Sequence, residues 1–227
     1  MNKIKKSRFA APATTPWLLA LLVPVAITIM SLAVSVAGHG PHGARLMRWD
    51  IIHITSFSPV TVAYAGGVAS AQANDGSKIT LTGDGTFLID PHGKHRKPKD
   101  VRGGGTWETF APSAEGGGST GNGTYEVTGF ISFENAPGSP APGTVDHIGD
   151  GTLADNRGGL AIFFIDYSDG EEGTLTVSCH LPGAGPPMTP ETVFEGITAT
   201  KGFVAYWNRE APVAGVDANR TLFHVLH

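Results

Sequence analysis

The densest aromatic stretch of the chain, Phe203-Val-Ala-Tyr-Trp-Asn-Arg209, ends in polar side chains suited to holding a small molecule. On a strand, alternate residues share a face. Phe203, Ala205 and Trp207 therefore fall on one side, and Val204, Tyr206 and Asn208 on the other. If one of these faces lines a cavity, Tyr206, Asn208 and Arg209 become its polar anchors, because a few placed polar groups orient a ligand in an otherwise apolar site. His224, enclosed by apolar neighbours in Thr221-Leu-Phe-His-Val-Leu226, is a fourth candidate anchor. Those four residues make up the expected ligand-binding set.

Other chemistry-bearing residues are less well placed. Cys179 and His180 are adjacent, but neighbouring strand residues point to opposite faces, so they form no ready-made dyad. Cys179 stands alone in the chain, which excludes an internal disulfide, and the strand context Leu-Thr-Val-Ser-Cys favours a buried apolar role. Of His39 and His42, His39 can be read as a copper ligand only if processing leaves it at the N-terminus, with His53, His147, His180 or His224 as the second ligand. Asp146, Asp150 and Asp155 with Asn156, and Asp166, Asp169, Glu171 and Glu172, have loop spacings a calcium ion can use, yet neither matches a twelve-residue calcium loop. The same carboxylates can serve a glycosidase only at a separation that sequence does not supply. No Gly-x-Ser-x-Gly elbow or His-Glu-x-x-His pair is present. The sequence calls for no cofactor and no metal, and it leaves catalytic residues unassigned.

Charge narrows the partners. Four basic residues, Lys3, Lys5, Lys6 and Arg8, precede the first apolar run, and every acidic residue follows it. Residues beyond that segment carry 12 basic against 20 acidic side chains, a formal charge of −8. A nucleic-acid partner needs a positive footprint, so none is expected. The basic run Lys94-His-Arg-Lys-Pro-Lys99 reads as a solvated loop. Residues 103–200 hold a single basic residue, Arg157, against 13 acidic ones, which makes the molecule dipolar.

The N-terminal charges followed by the apolar run Trp17–Ala37 give the layout of an export signal, with Ser35 and Ala37 as small residues before a cut after Ala37. Its 21 residues are also enough to span a bilayer. Residues 1–37 are thus expected to be a signal peptide or a membrane anchor, 38–44 a linker and 45–227 one domain. Either reading places that domain outside the cytoplasm, secreted or tethered by a single N-terminal helix. The sequence does not set the oligomeric state.

The elements that must position the candidate residues are strands. Residues 38–227 contain 19 Thr and 9 Leu, the reverse of a helical composition, and no 3.6-residue apolar period persists. Short β-branched and aromatic runs recur between Gly, Pro, Asn and Asp. Twelve are legible as strands: 47–57, 60–64, 68–73, 78–81, 86–90, 106–110, 124–134, 160–167, 173–181, 193–199, 203–207 and 221–226. Loops are expected over 91–105, 111–123, 135–159 and 182–190. The unit Gly-x-Gly-Thr followed by an aromatic residue or Leu begins at Gly83, Gly103, Gly121 and Gly149, and Glu171–Leu175 repeats it without the first Gly. Glycine there permits close backbone approach where a coiled sheet bends, Thr resumes the strand, and the large residue packs inward. The terminal run is apolar on both faces, so it should pair with a distant strand and close the sheet.

Gly121-Asn-Gly-Thr-Tyr-Glu-Val-Thr-Gly129, followed by the strand Phe-Ile-Ser-Phe-Glu, resembles the glycine-punctuated strands of allene-oxide-cyclase-like and dirigent-like β-barrels, as does Phe194-Glu-Gly-Ile-Thr-Ala-Thr-Lys-Gly-Phe203. The resemblance implies a closed antiparallel barrel of about eight strands binding an apolar small molecule. It transfers no catalytic residue. The expectation is an all-β antiparallel barrel, with a two-sheet sandwich as the alternative. Its function is expected to be non-enzymatic binding of an apolar small molecule or a surface component. The alternatives are a cofactor-independent isomerase or cyclase using the same cavity, and a structural envelope protein.

Overall fold

A computed structural model describes residues 44–56, 61–89, 100–113, 117–149, 152–182, 192–210 and 219–227. The expected signal or anchor, most of the linker, His39, His42 and the basic run at 94–99 lie outside these residues. Among the described residues no helix is long and apolar enough to cross a membrane.

The described residues are all-β, with fourteen strands among them: β1 (Arg45–Ser56), β2 (Val62–Ala65), β3 (Ala69–Gln72), β4 (Lys78–Leu81), β5 (Asp84–Ile89), β6 (Val101–Phe110), β7 (Ser119–Ala136), β8 (Val145–Asp146), β9 (Asn156–Tyr167), β10 (Glu172–Cys179), β11 (Gly196–Lys201), β12 (Val204–Tyr206), β13 (Asn208–Glu210) and β14 (Thr221–Leu226). Six of them close an antiparallel ring in the order β9-β14-β1-β5-β6-β7 and back to β9. The terminal strand completes the ring as its two apolar faces require, pairing with β1 from Leu46 to Ile51 and with β9 at Asn156 and Arg157. From β9 the sheet continues through β10 and β11 to β12, and from β6 through β4 and β3 to β13. β2 pairs with β1 beyond Ile52 and runs parallel to β8.

The closed ring has six strands rather than about eight, because strands expected as separate staves share one edge. β6 pairs with β5 at Val101–Gly104 and with β4 at Trp107–Phe110, while β7 covers its other side. β9 likewise pairs with β14 at its start and with β10 from Gly159 to Asp166.

The expected loops 91–105, 111–123 and 135–159 are corrected at their ends, where β6, β7 and β9 begin in glycine-rich sequence. The cause is proximity. A Cβ on Gly105 would stand 2.0 Å from the Thr82 carbonyl oxygen, and one on Gly104 would stand 2.4 Å from that of Tyr125. Only glycine lets these strands approach so closely. The large residue of each repeat unit packs inward at Phe87, Trp107, Tyr125 and Leu175. Leu153 does not; it belongs to a 3₁₀ turn, Leu153–Asp155, and is exposed.

Inside the ring the space is filled by aromatic side chains. Phe87 stacks on Phe130 at 4.9 Å between centroids, Phe133 meets Phe223 at 5.1 Å, and Trp49 meets Phe163 at 5.5 Å. Towards the other end, Trp107, Tyr125 and Tyr167 are buried and donate hydrogen bonds to the carbonyls of Thr124, Thr82 and Thr200. Each ring thus buries its apolar body while its polar atom keeps a partner.

Candidate functional site

Because the interior is packed, the outward faces of β1 and β14 become the informative surface. Alternation sends Trp49, Ile51, Phe223 and Val225 inward, and leaves Asp50, Ile52, Leu222 and His224 pointing out. These outward residues would ordinarily be wet. They are instead buried, Asp50 at 0% exposure and His224 at 1%. A cover made of β2 and the segment through β8 accounts for this. Asp146 of β8 bonds His224 Nε2 at 2.8 Å, Ile148 is buried, and Tyr64 of β2 stacks on His147 at 4.7 Å. Asp50 is held by a bidentate contact from Arg48, with Nη2 to Oδ1 at 2.7 Å. Burial still dominates and pushes its carboxyl up to about 6, with the Arg48 bonds pulling the other way.

Where the cover ends, a cleft of about 460 Å³ opens in the outer wall. Ile52, Ile54 and Ala63 form one side. Pro140, Ala141 and Thr144 form a second, and Leu181, Pro182 and Leu222 a third. Asn156, Cys179, His180, Glu195, Arg220 and Thr221 bring polarity to it. The lining comes from the ends of β1, β10 and β14, the start of β9 and the residue before β11, so only the folded sheet assembles it.

Glu195 is the electrostatic centre of the cleft. Its Oε1 accepts the Thr221 N–H at 2.6 Å and its Oε2 accepts the His180 N–H at 2.5 Å, tying the end of β10 to the start of β14. Burial pushes its carboxyl up to about 7, against these hydrogen bonds and the neighbouring Arg220 charge. His180 Nδ1 lies 2.7 Å from the Val193 carbonyl, which can only accept, so Nδ1 carries a hydrogen, and in the neutral tautomer Nε2 presents the lone pair. Cys179 and His180 both line the cleft despite their adjacency, because β10 ends at Cys179 and strict alternation ends with it. The Cys179 thiol is fully buried, and burial pushes it well above its ordinary value, so it acts as apolar wall and not as a nucleophile. Such a site can bury a small apolar molecule and exchange a proton with it near neutral pH.

The four residues singled out by sequence are dispersed. Tyr206 is buried on β12 beside a depression of about 180 Å³ that it shares with Trp107, Asp169, Glu171 and Lys201. There Lys201 Nζ sits 4.4 Å from the Trp107 ring centroid and forms ion pairs with Asp169 and Glu171. Asn208 and Arg209 are exposed on β13, and Arg209 Nη1 donates to the Glu195 carbonyl at 3.2 Å, behind the cleft. His224 lies under the β8 cover. None of the four is among the residues lining the cleft.

Asp150 lies outside the described residues, and the other two carboxylates of the first acidic cluster have structural partners. Asp146 holds His224 and the Ile148 N–H; Asp155 accepts from Thr152 and pairs with His227 at 2.8 Å. Among the described residues no group of three His, Cys, Asp or Glu side chains is arranged to hold a metal ion. Glu195 was the residue that sequence reasoning passed over. Its one signal is position: a single acid between Phe194 and the Gly196-Ile197 strand start, where Gly196 has φ +116°. No protein-family model, curated protein or solved structure matches the chain.

Proposed function

We propose that this chain is an exported β-barrel domain that binds an apolar small molecule in the cleft of its outer wall, without transforming it. One observation carries the reading: a cleft of about 460 Å³ with aliphatic walls and a few converging polar groups stands beside a barrel whose interior is packed. That volume lies within the range of roughly 300–1,000 Å³ common for small-molecule sites. The charged start and apolar run of residues 1–37 support export, and the glycine-punctuated strands support kinship with allene-oxide-cyclase-like and dirigent-like barrels. The neutral dye Nile red tests the reading. It should bind with one-to-one stoichiometry, and Ala141→Trp, which fills the cleft from a loop, should abolish binding while leaving the thermal midpoint in place. Dye binding that survives in Ala141→Trp overturns the assignment, and no binding to either protein leaves the structural envelope role.

The second reading is a cofactor-independent isomerase or cyclase in the same cleft. Glu195, with a carboxyl held near 7, and the lone pair on His180 Nε2 favour it, since a general base works best with a pKa near the operating pH. Turnover of a bound ligand that disappears in Glu195→Gln, with binding retained, would select this reading over simple binding.

A further inference from the structure

Arg220 and Glu195 bring opposite charges to one apolar cleft. Both Glu195 oxygens are engaged by the chain, Oε1 by the Thr221 N–H at 2.6 Å and Oε2 by the His180 N–H at 2.5 Å. The Arg220 charge favours the ionised carboxyl, yet burial outweighs it and the group stands at about 7. The cleft therefore has two charge states near neutral pH. With Glu195 ionised, its charge and that of the guanidinium offset each other. With Glu195 protonated, the positive charge of Arg220 is no longer offset by Glu195, between walls that include Ile52, Ile54, Leu181 and Leu222. A guanidinium carries five N–H donors in a fixed fork, enough to serve a ligand carboxylate beside the contacts Arg220 keeps within the protein. Three other ionisable side chains surround Glu195 among the described residues. Cys179 stays a thiol, because burial raises it well above its ordinary value. Arg209 is a cation throughout and lies behind the cleft, with Nη1 on the Glu195 carbonyl at 3.2 Å. His180 lines the cleft with Nδ1 on Val193, and as an imidazolium it adds positive charge.

We propose that the cleft holds an apolar molecule ending in a carboxylate, its hydrocarbon on the aliphatic walls and its head group on Arg220, and that Glu195 takes up a proton from solvent as the ligand enters. This rests on the binding role proposed above. Two carboxylates beside one guanidinium in a site of low polarity repel each other, and one proton on the pair removes the repulsion. The ligand keeps its charge for Arg220, while Glu195 becomes the neutral acid and still accepts the Thr221 and His180 N–H groups. Binding is tightest in mild acid and weakens as pH rises through 7, so release of the ligand is set by pH.

The probe is 2-naphthoate, a carboxylate from pH 6 to pH 8, with 2-naphthol and naphthalene as uncharged controls, each titrated on the full chain by fluorescence. At pH 6 the naphthoate should bind about tenfold more tightly than 2-naphthol, as expected of one hydrogen-bonded ion pair. Between pH 6 and pH 8 the share of chains with Glu195 protonated falls about tenfold, and naphthoate affinity should fall with it while naphthalene affinity holds constant. Glu195→Gln should bind the naphthoate with one affinity across that range. Arg220→Gln should abolish its advantage over 2-naphthol and leave naphthalene binding in place. Naphthoate that binds no more tightly than 2-naphthol at pH 6, an affinity that does not change with pH, or a pH dependence that persists in Glu195→Gln overturns the proposal while leaving the cleft a binding site. Failure of all three probes to bind removes the binding role itself. The wild-type series and Glu195→Gln decide the matter even if Arg220→Gln fails to fold.

Discussion

Truncating Phe87 to alanine tests whether the ring interior is solid. Phe87 has no exposed surface, and its ring lies 4.9, 5.4, 5.5 and 6.3 Å from those of Phe130, Phe133, Phe163 and Phe223. Loss of a buried phenyl costs about 3–5 kcal/mol, and each aromatic pair adds roughly 0.5–1.5 kcal/mol beyond area burial. With four partners, Phe87→Ala should fall at the upper end, about 4–5 kcal/mol. That is a large share of the roughly 5–15 kcal/mol available to a domain. Urea unfolding followed by tryptophan fluorescence is the assay, since Trp49 lies in the same cluster, 5.5 Å from Phe163. Phe203→Ala is the internal control. The same residue type, 98% exposed at a turn, should change stability by less than about 0.5 kcal/mol. A loss below about 1 kcal/mol for Phe87→Ala would refute a packed interior and return the ligand site to the inside of the barrel.

Glu195 gives a pH signature. Its carboxyl is raised from the ordinary 4.5 to about 7, so the folded state binds the proton more tightly than the unfolded chain. The stability this contributes is complete below pH 4.5 and is lost as pH rises through 7. Wild type should therefore lose on the order of 3 kcal/mol relative to Glu195→Gln across that interval, read from urea curves; a pH-independent difference would contradict it. On the outer sheet Glu126, Asp166 and Glu172 stand directly opposite one another across three strands. Removing the central charge with Asp166→Thr should add about 0.2–1 kcal/mol and raise the thermal midpoint, less so in high salt; a lowered midpoint counts against the repulsion. Deleting residues 221–227 removes the strand that joins β1 to β9, exposing two edges. The shortened chain should aggregate or unfold without cooperativity, and an unchanged midpoint would make β14 an appendage.

Strand identity was largely legible because β-branched and aromatic runs carry it locally: Lys78–Leu81 and Thr221–Leu226 are read to the residue. Apolar residues on both faces of the last strand announced a doubly covered position, and β14 occupies one. Glycine misled at the starts of β6, β7 and β9. What selects it is a neighbour distant in sequence against the missing Cβ: the Thr82 carbonyl oxygen 2.0 Å from that of Gly105, the Ser168 hydroxyl 2.2 Å from that of Gly123 and the Glu134 carbonyl oxygen 2.6 Å from that of Gly159, and nothing nearby in sequence records those contacts. The site was hidden for the same reason. Glu195 becomes a buried carboxyl only when Thr221 and His180 arrive from β14 and β10 to bind it. Tyr206, Asn208, Arg209 and His224 are polar neighbours of apolar runs, a local property. Whether such neighbours meet depends on register, and here β12, β13 and β14 carry them to different surfaces.

The cleft as the ligand site is tested most directly by methyl-resolved NMR on titration with 2-naphthol. Ile52, Ile54, Leu181 and Leu222 line the cleft, whereas Val127, Ile165 and Val225 belong to the core. The account predicts saturable shifts at the first four methyl sets and none at the last three. Shifts concentrated at Val127, Ile165 and Val225, or no saturable shift anywhere, would contradict it.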